Sequence, residues 1–299
     1  MGGVILFDRN MENPEQVKQL TSDLQAQSNE KVPLFIGIDE EGGDVVRMAE
    51  KLTPPPSQKE IGATGDIEQA KTWAIKTAKS LKDMGINVNF APVADVGSND
   101  KRSYSTDTNT VIDFVRAATK GYQQENIIYS LKHFPGIGKG RVDSHVDSSS
   151  IDVAKEVLMT EDIIPFKTII DENDPNDYFI LVSHLKYPAL DEEYPASLSS
   201  KIMTDLLRNE LGYKGIIITD DMEMGAVANH NDFRSIGVKA VKAGADIVLV
   251  CHEYEHQQEV YLGLLDAVNS GEISQERIDE SCKKKLSKWN YYIYINDII

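Results

Sequence analysis

Short apolar runs alternate with amphipathic stretches along the chain. Seven runs rich in Val, Ile and Phe are nearly continuous in hydrophobicity, as is typical of strands covered on both faces. We predict strands at Gly3–Phe7, Pro33–Asp39, Asn87–Asp95, Ile128–His133, Tyr178–His184, Gly215–Asp220 and Asp246–Val250. Between the strands, apolar residues recur at three- and four-residue spacing, which indicates helices. Examples are Ala70–Met84, Val111–Glu125, Met159–Asp171, Ser200–Leu211, Asp232–Ala243 and His256–Ser270.

This alternation predicts an α/β fold with a parallel sheet, either an open doubly wound sheet or a (β/α)8 barrel of the TIM type. Polar residues follow the ends of many strands, namely Asp39, Asp95, His133, His184, Asp220 and His252. A barrel places its active site on that face, whereas a doubly wound sheet concentrates ligand groups at one switch point. No G-x-G-x-x-G follows a strand. The barrel is therefore favoured.

The 299 residues suit one barrel domain over residues 1–299. Seven strands are one short of eight, and the chain opens directly on a strand. We therefore expect a first strand and helix to be missing from its N-terminus. The alternative is that the aromatic tail Tyr291–Ile295 forms a strand and fills the vacant edge.

The composition narrows the classes of function. A formal net charge of −17 disfavours nucleic acid and anionic membranes as partners. No apolar run is long enough to span a membrane, and no signal peptide is visible, so a cytoplasmic protein is expected unless an N-terminal segment is missing. The two cysteines, Cys251 and Cys282, cannot form a disulfide framework and lack metal-ligand spacing.

Thr219-Asp220-Asp221 ends a buried strand. A carboxylate there is a candidate nucleophile or metal ligand, and the alternative is an acidic helix N-terminus. Because successive strand side chains point to opposite faces, only one of the two carboxylates can face the barrel mouth. The pattern does not choose between them.

Further candidates lie at the same predicted face. In Asp143-Ser144-His145, a carboxylate near a histidine suits a general acid/base, although the segment is also compatible with an ordinary polar loop. Other polar positions that suit hydrogen bonding to a substrate, or structural ion pairs, are Lys132, His133, Asp39, Arg47, Arg102 and His184. Gly42 and Gly43 permit a tight turn beside Asp39.

Blocks of this chain match a known family in order. The matching blocks are GGVILFDRN (2–10), GIDEEGGDVVR (37–47), NFAPVADV (89–96), KHFPG (132–136), DSH (143–145), SHLKYPALD (183–191), PASLS (195–199) and GIIITDDMEM (215–224). The chain thus resembles the bacterial β-N-acetylhexosaminidases of glycoside hydrolase family 3, over essentially its whole length. Members normally begin with a strand a few tens of residues earlier.

The resemblance implies a role for each matching residue. Asp220 would be the nucleophile, His145 the acid/base and Asp143 the residue that orients His145. The sugar-binding positions would be Asp39, Arg47, Arg102, Lys132 and His133, and we add His184 from its place at a strand end. The reaction would be a retaining hydrolysis through a glycosyl-Asp intermediate. No metal, cofactor or protein partner is implied.

Two departures concern the site. Where the family reads F-P-G-H-G-D-T, this chain has Ile137 and Lys139 in place of the His and Asp, and Asp44 replaces the Arg of E-G-G-R.

The expected function is release of terminal β-linked N-acetylglucosamine from peptidoglycan- or chitin-derived oligosaccharides. The rivals are a phosphorylase, a non-catalytic sugar-binding barrel and a metal-dependent barrel hydrolase. This chain does not contain the His-x-His pair that is usual in a metal-dependent barrel hydrolase.

Overall fold

The computed structural model of the chain describes residues 2–28, 32–48, 52–97, 101–140 and 149–296, the last nine without their side chains. The chain forms two compact units. Unit one comprises Met1–Lys132 and Ile164–Ile169, and unit two comprises His133–Ile163 and Ile170–Ile299. Each unit contains a parallel sheet, and all seven predicted strands form.

The strands of unit one are β1 (Gly3–Ile5), β2 (Phe35–Ile38), β3 (Val88–Asn89) and β4 (Ile128–Phe134), of which β4 continues into unit two. Each pairs in parallel with the next along the chain. Every residue of β2 and β4 is buried, which agrees with their continuous hydrophobicity. The carboxyl ends of β2 and β4 therefore carry their polar residues on the same edge of the sheet.

Four helices of unit one connect these strands, namely α1 (Pro14–Ala26), α2 (Gln58–Ala63), α3 (Ile67–Asp83) and α4 (Thr108–Gln124). Side chains cap their first turns: Asn13 accepts a hydrogen bond from the Gln16 N–H at 2.9 Å, and Asp107 accepts from the Thr110 N–H at 2.8 Å. Gly85 follows α3 with a φ of 76°, a left-handed conformation that glycine commonly adopts at the end of a helix.

Unit two contains β5 (Tyr178–Val182), β6 (Lys186–Tyr187), β7 (Asp191–Pro195), β8 (Ile216–Asp221) and β9 (Ile247–Leu249). The strands β5, β8 and β9 pair in parallel, and β6 and β7 form a short antiparallel hairpin that the hydrophobic pattern does not predict. Because β8 lies between β5 and β9, its end receives contacts from the segments that follow both neighbours.

The remaining helices are α5 (Lys155–Val157), α6 (Ile164–Glu172), α7 (Gly225–Ala228), α8 (Phe233–Ala243), α9 (Tyr254–Asn269) and α10 (Gln275–Asn296), with Ile164–Ile169 of α6 belonging to unit one. Leu158–Asp162 and Lys201–Glu210 are π-helical, where the spacing of apolar residues predicts ordinary α-helices. Among the described residues, no helix is both long enough and apolar enough to cross a membrane.

The aromatic tail is helical. The alternative in which Tyr291–Ile295 forms a strand is wrong, because α10 runs without a break to Asn296. Its apolar residues recur at three- and four-residue spacing from Ile278 onward, which favours a helix over a strand.

A buried carboxylate at the start of β9 holds α10. The side chain of Asp246 is 1% exposed and forms ion pairs with Arg208 and, at 3.0 Å, with Lys284 Nζ of α10. Ser281 of α10 donates to Asp246 Oδ1 at 2.7 Å. Burial alone would raise the pKa of Asp246, but Arg208, Lys284 and these hydrogen bonds outweigh it and hold the pKa below its usual value.

Candidate active site

Charged side chains meet in unit one at the carboxyl ends of β2 and β4. Lys132 Nζ lies 2.6 Å from Asp39 Oδ1 and 2.6 Å from Glu41 Oε1, and the lysine residue is 2% exposed. Burial opposes the charge on Lys132, but the Asp39 and Glu41 carboxylates outweigh it and raise the pKa of the ammonium group. The lysine is therefore a buried, permanently charged donor.

Two arginines complete this group. Arg102 makes a bidentate pair with Glu41, through Nε to Oε2 at 2.8 Å and Nη2 to Oε1 at 2.7 Å. Arg47 Nη2 lies 3.6 Å from Asp39 Oδ2, and the Arg47 guanidinium also lies over the Phe7 ring. The structure thus brings together Asp39, Arg47, Arg102 and Lys132, four of the residues that the resemblance assigns to sugar binding. We call these four residues and Glu41 the charged cluster.

Glu41 is the member of the charged cluster that the sequence reasoning missed. Its side chain is 1% exposed and contacts both Lys132 and Arg102. The signal was present in Asp39-Glu40-Glu41-Gly42-Gly43, because a carboxylate next to a turn of two glycines has close neighbours. A Cβ on Gly42 would lie 2.3 Å from the Pro56 carbonyl oxygen, and Gly42 has a φ of 102°. Glycine is therefore required where the chain passes Pro56.

Glu40 lies between Asp39 and Glu41 in the sequence, and its hydrogen bonds are with Arg47 and Asn89. It accepts a hydrogen bond from the Arg47 N–H at 2.7 Å, and its own N–H donates to Asn89 Oδ1 at 3.0 Å. Burial raises the pKa of Glu40 to about 7, although the Arg47 N–H and guanidinium lower it. Glu40 therefore titrates near neutral pH beside the charged cluster.

In unit two, the end of β8 carries Asp220 and Asp221 in different surroundings. Asp220 is half-buried, and its Oδ1 accepts a hydrogen bond from the Asp221 N–H at 2.9 Å. Asp221 is buried, and its Oδ1 accepts from the N–H groups of Glu223 and Cys251, both at 3.2 Å. The Asp221 carboxylate is thus committed to the two segments that follow β8 and β9, whereas Asp220 is the more exposed of the pair.

Two histidines after β9 contact carboxylates near Asp220. His252 Nε2 lies 3.1 Å from Asp221 Oδ2, and His256 Nδ1 lies 2.7 Å from Glu223 Oε1. Burial raises the pKa of Asp221, with a further contribution from the Glu223 charge, and His252 acts in the opposite direction. Glu223 also accepts from the N–H groups of His252 and Glu253, at 2.5 and 2.9 Å. The sequence reasoning identified His252 as a polar residue at a strand end and missed Glu223 and His256.

Two more predicted residues lie in unit two. His133, on β4, is 5% exposed. His184, two residues beyond β5, is 1% exposed and hydrogen-bonds Ser197 Oγ and the Asp221 backbone oxygen. Its assignment to sugar binding stays a prediction.

Residues 141–148 lie outside the described part of the chain, and with them the predicted acid/base His145 and its partner Asp143. Lys139, which replaces the family's Asp just before this segment, is among the described residues. Lys139 Nζ lies 2.5 Å from Asp162 Oδ2 and 2.9 Å from Glu161 Oε2. Burial would lower the pKa of Lys139, but these two carboxylates raise it. The positive charge that Lys139 brings to this position is therefore compensated by two acidic side chains. The other departure, Asp44, forms an exposed ion pair with Lys101 at 3.1 Å.

Residues 1–287 match the glycosyl hydrolase family 3 N-terminal domain. The chain belongs to this family. The N-terminal domain of the family is a TIM-type barrel, so the predicted fold class is confirmed.

The relatives and solved structures agree with this membership. The chain is 35% identical to beta-hexosaminidase A of Pseudoalteromonas piscicida, over 94% of this chain and 52% of that protein. It is 32% identical to a beta-hexosaminidase of Haemophilus influenzae, over 97% of this chain and 84% of that protein. A family 3 beta-N-acetylglucosaminidase structure from Paenibacillus matches with a TM-score of 0.93 and 38% identity, over 96% of this chain and 56% of that chain. The chain thus spans about half the length of the first and third of these proteins.

Proposed function

We propose that this chain is a retaining glycosidase that releases terminal β-linked N-acetylglucosamine from peptidoglycan- or chitin-derived oligosaccharides, with residues 1–299 as one catalytic domain. The single observation that carries the proposal is the unequal exposure of the two adjacent carboxylates at the end of β8, where Asp220 is half-buried and Asp221 is buried. The names of the curated relatives support a hexosamine as the sugar. The Paenibacillus structure, by its title, supports N-acetylglucosamine in particular.

The first step is attack on the anomeric carbon by Asp220, which forms a glycosyl-Asp ester as the bond to the leaving oxygen breaks. Asp221 is a poorer nucleophile because its carboxylate accepts two backbone hydrogen bonds and faces His252. The N–H of Asp221 donates to Asp220 Oδ1 and holds the carboxylate of the proposed nucleophile in place.

The acid/base role belongs to His145, with Asp143 orienting it, as the family resemblance implies. His145 donates a proton to the leaving oxygen and then removes one from the water that hydrolyses the ester.

Sugar binding is assigned to Asp39, Arg47, Arg102, Lys132 and His133. Carboxylate acceptors and fixed cationic donors are the groups that bind sugar hydroxyls with defined geometry. Arg47 Nε is buried and has no hydrogen-bond partner in the part of the chain that the structure describes.

The experiment is turnover of an aryl β-N-acetylglucosaminide by the wild-type chain and by Asp220→Gly. We expect the variant to lose at least about 10³-fold in rate, and added azide to restore turnover with formation of the α-glycosyl azide. This result requires the nucleophile to be removed while the rest of the site is intact. Asp205→Asn, on an exposed part of unit two, is the matched control and should retain the wild-type rate.

The products decide the remaining alternatives. Retained β configuration of the released sugar is expected, and inversion would contradict the covalent mechanism. Accumulation of sugar 1-phosphate in phosphate buffer would show that the reaction is phosphorolysis. Binding of N-acetylglucosamine without turnover would contradict a catalytic role altogether.

A further inference from the structure

The His184 imidazole is enclosed by protein groups of unit two. The residue lies two positions beyond β5 and is 1% exposed. Its Nε2 lies 2.8 Å from the backbone oxygen of Asp221, and its Nδ1 lies 2.6 Å from Ser197 Oγ. Both ring nitrogens therefore have partners on other segments of the same unit.

These contacts determine the tautomer. A carbonyl oxygen only accepts hydrogen bonds, so Nε2 carries the proton and donates to Asp221. Burial lowers the pKa of His184, although the nearby Asp220 charge acts against it, so the ring is neutral. Nδ1 must then accept from the Ser197 hydroxyl. No ring nitrogen is left to bind a sugar hydroxyl, which argues against the sugar-binding role predicted from the sequence.

Asp221, which accepts the hydrogen bond from His184, also contacts the proposed nucleophile Asp220. The N–H of Asp221 donates to Asp220 Oδ1 at 2.9 Å, and the carbonyl oxygen of Asp221 accepts from His184. The Asp221 carboxylate accepts from the N–H groups of Glu223 and Cys251. The backbone and the side chain of Asp221 are thus both fixed, and its N–H is aimed at Asp220.

We propose that His184 is a positioning residue that fixes the end of β8 through the Asp221 carbonyl group and thereby aims the carboxylate of Asp220. The proposal rests on the proposed function, because it requires Asp220 to be the nucleophile. His184 acts from behind the strand end and does not touch the substrate.

The test compares His184→Leu with His184→Gln in the full chain, using an aryl β-N-acetylglucosaminide. Leucine removes both hydrogen bonds, and we expect kcat to fall about 10²-fold with KM changed by less than about twofold, because a small displacement of a reacting group has an effect of this size. Glutamine can donate to the Asp221 carbonyl oxygen, so His184→Gln should recover at least about tenfold of that loss.

Tyr213→Phe is the matched control. Tyr213 is fully buried, and its hydroxyl contacts the backbone oxygens of Tyr178 and Ile216, at the opposite end of β8 from Asp220. We expect Tyr213→Phe and His184→Leu to lower the melting temperature, but only His184→Leu to lower kcat. Equal losses of kcat in both variants would show that general destabilisation is the cause and would overturn the proposal.

Two further results would overturn the positioning role. One is a KM raised tenfold or more by His184→Leu with kcat unchanged, which is the result for a sugar ligand. The other is wild-type kcat and KM in folded His184→Leu. The failure of the proposed function is a separate result, because it would be seen as absence of turnover by the wild-type chain.

Discussion

The charged cluster of unit one and the end of β8 in unit two handle buried charge in opposite ways. In the charged cluster, Lys132 and Arg102 lie directly against the Glu41 carboxylate, so opposite charges neutralise one another. At the end of β8, Asp220, Asp221 and Glu223 are close in sequence, and backbone N–H groups and two histidines hold Asp221 and Glu223. The first arrangement resists any change of protonation, which suits binding. In the second, Asp220 is more exposed than Asp221, as the proposed nucleophile requires.

The largest effect is expected from Lys132→Met. The Glu41 carboxylate would remain buried beside Arg102 without the lysine, and Asp39 would lose its 2.6 Å partner. Removal of one partner from a buried ion pair costs about 3–5 kcal/mol, so we expect a loss of that size in the free energy of unfolding, measured in urea. Adding Glu41→Gln should recover part of the loss. A loss below about 1 kcal/mol would contradict the description of the cluster as mutually neutralised.

The next effect concerns pH and Glu40. Its pKa in the folded chain is raised to about 7, so the folded state binds the proton more tightly than the unfolded state. The free energy of unfolding should therefore fall as pH rises from about 5 to 8. In Glu40→Gln this fall should be smaller. The free energy of unfolding of the variant minus that of the wild type should therefore rise by on the order of 2 kcal/mol between pH 5 and pH 8.

Glu60→Gln is the control for this pH dependence. Glu60 is exposed at the start of α2, and hydrogen bonds from the Ser57 side chain and N–H lower its pKa. Its stabilising contribution is lost only as pH falls through that lowered pKa, so the Glu60→Gln difference should stay constant from pH 6 to pH 8. A constant difference for Glu40→Gln over the same range would show that Glu40 does not titrate near neutral pH.

Asp221→Asn should cost less stability than Lys132→Met. The asparagine oxygen can still accept from the Glu223 and Cys251 N–H groups, and the pKa of Asp221 is already raised by burial. We expect a loss of about 1 kcal/mol in the free energy of unfolding, typical of one weakened hydrogen-bonded contact. A loss as large as that of Lys132→Met would indicate that charge, rather than backbone hydrogen bonding, organises the end of β8.

The smallest effect is expected from Asp44→Ala. Asp44 and Lys101 form an ion pair in which both side chains are more than half exposed. Exposed pairs contribute little because water screens them, so we expect a change below about 0.5 kcal/mol in urea unfolding. A loss above about 1 kcal/mol would mean that this replacement of the family's arginine contributes to the charged cluster itself.

The sequence predicted the strands well, because burial on both faces leaves a continuous apolar signal in β2, β4, β5 and β8. It missed the hairpin of β6 and β7, whose Asp191–Pro195 strand is largely polar and exposed. It also could not indicate that Lys201–Glu210 is π-helical, since the difference between α- and π-helical hydrogen bonding is not encoded in the apolar spacing. Long-range packing decides such features.

For the candidate site, the sequence identified residues but not their partners. Four predicted residues of the charged cluster meet although up to 93 positions separate them, namely Asp39, Arg47, Arg102 and Lys132. This agrees with the expectation that the ends of parallel strands lie on one edge of the sheet. Glu41 was missed although two glycines follow it, and Glu223 was missed because a single acidic residue carries no signal of burial. His184 was identified by position, but the number of hydrogen bonds already made by its ring depends on Ser197 and Asp221, which only the fold brings together.

The Asp246 contacts have a practical consequence for anyone who shortens this protein. Lys284 and Ser281 supply two of its partners from α10. A chain ending before residue 284 would keep the Asp246 carboxylate inside the protein without the Lys284 cation, and one ending before residue 281 would also lose the Ser281 hydroxyl. Boundaries for truncated expression should therefore fall beyond Lys284. In display or fusion designs that fray α10, the same contacts are lost and unit two should become less stable.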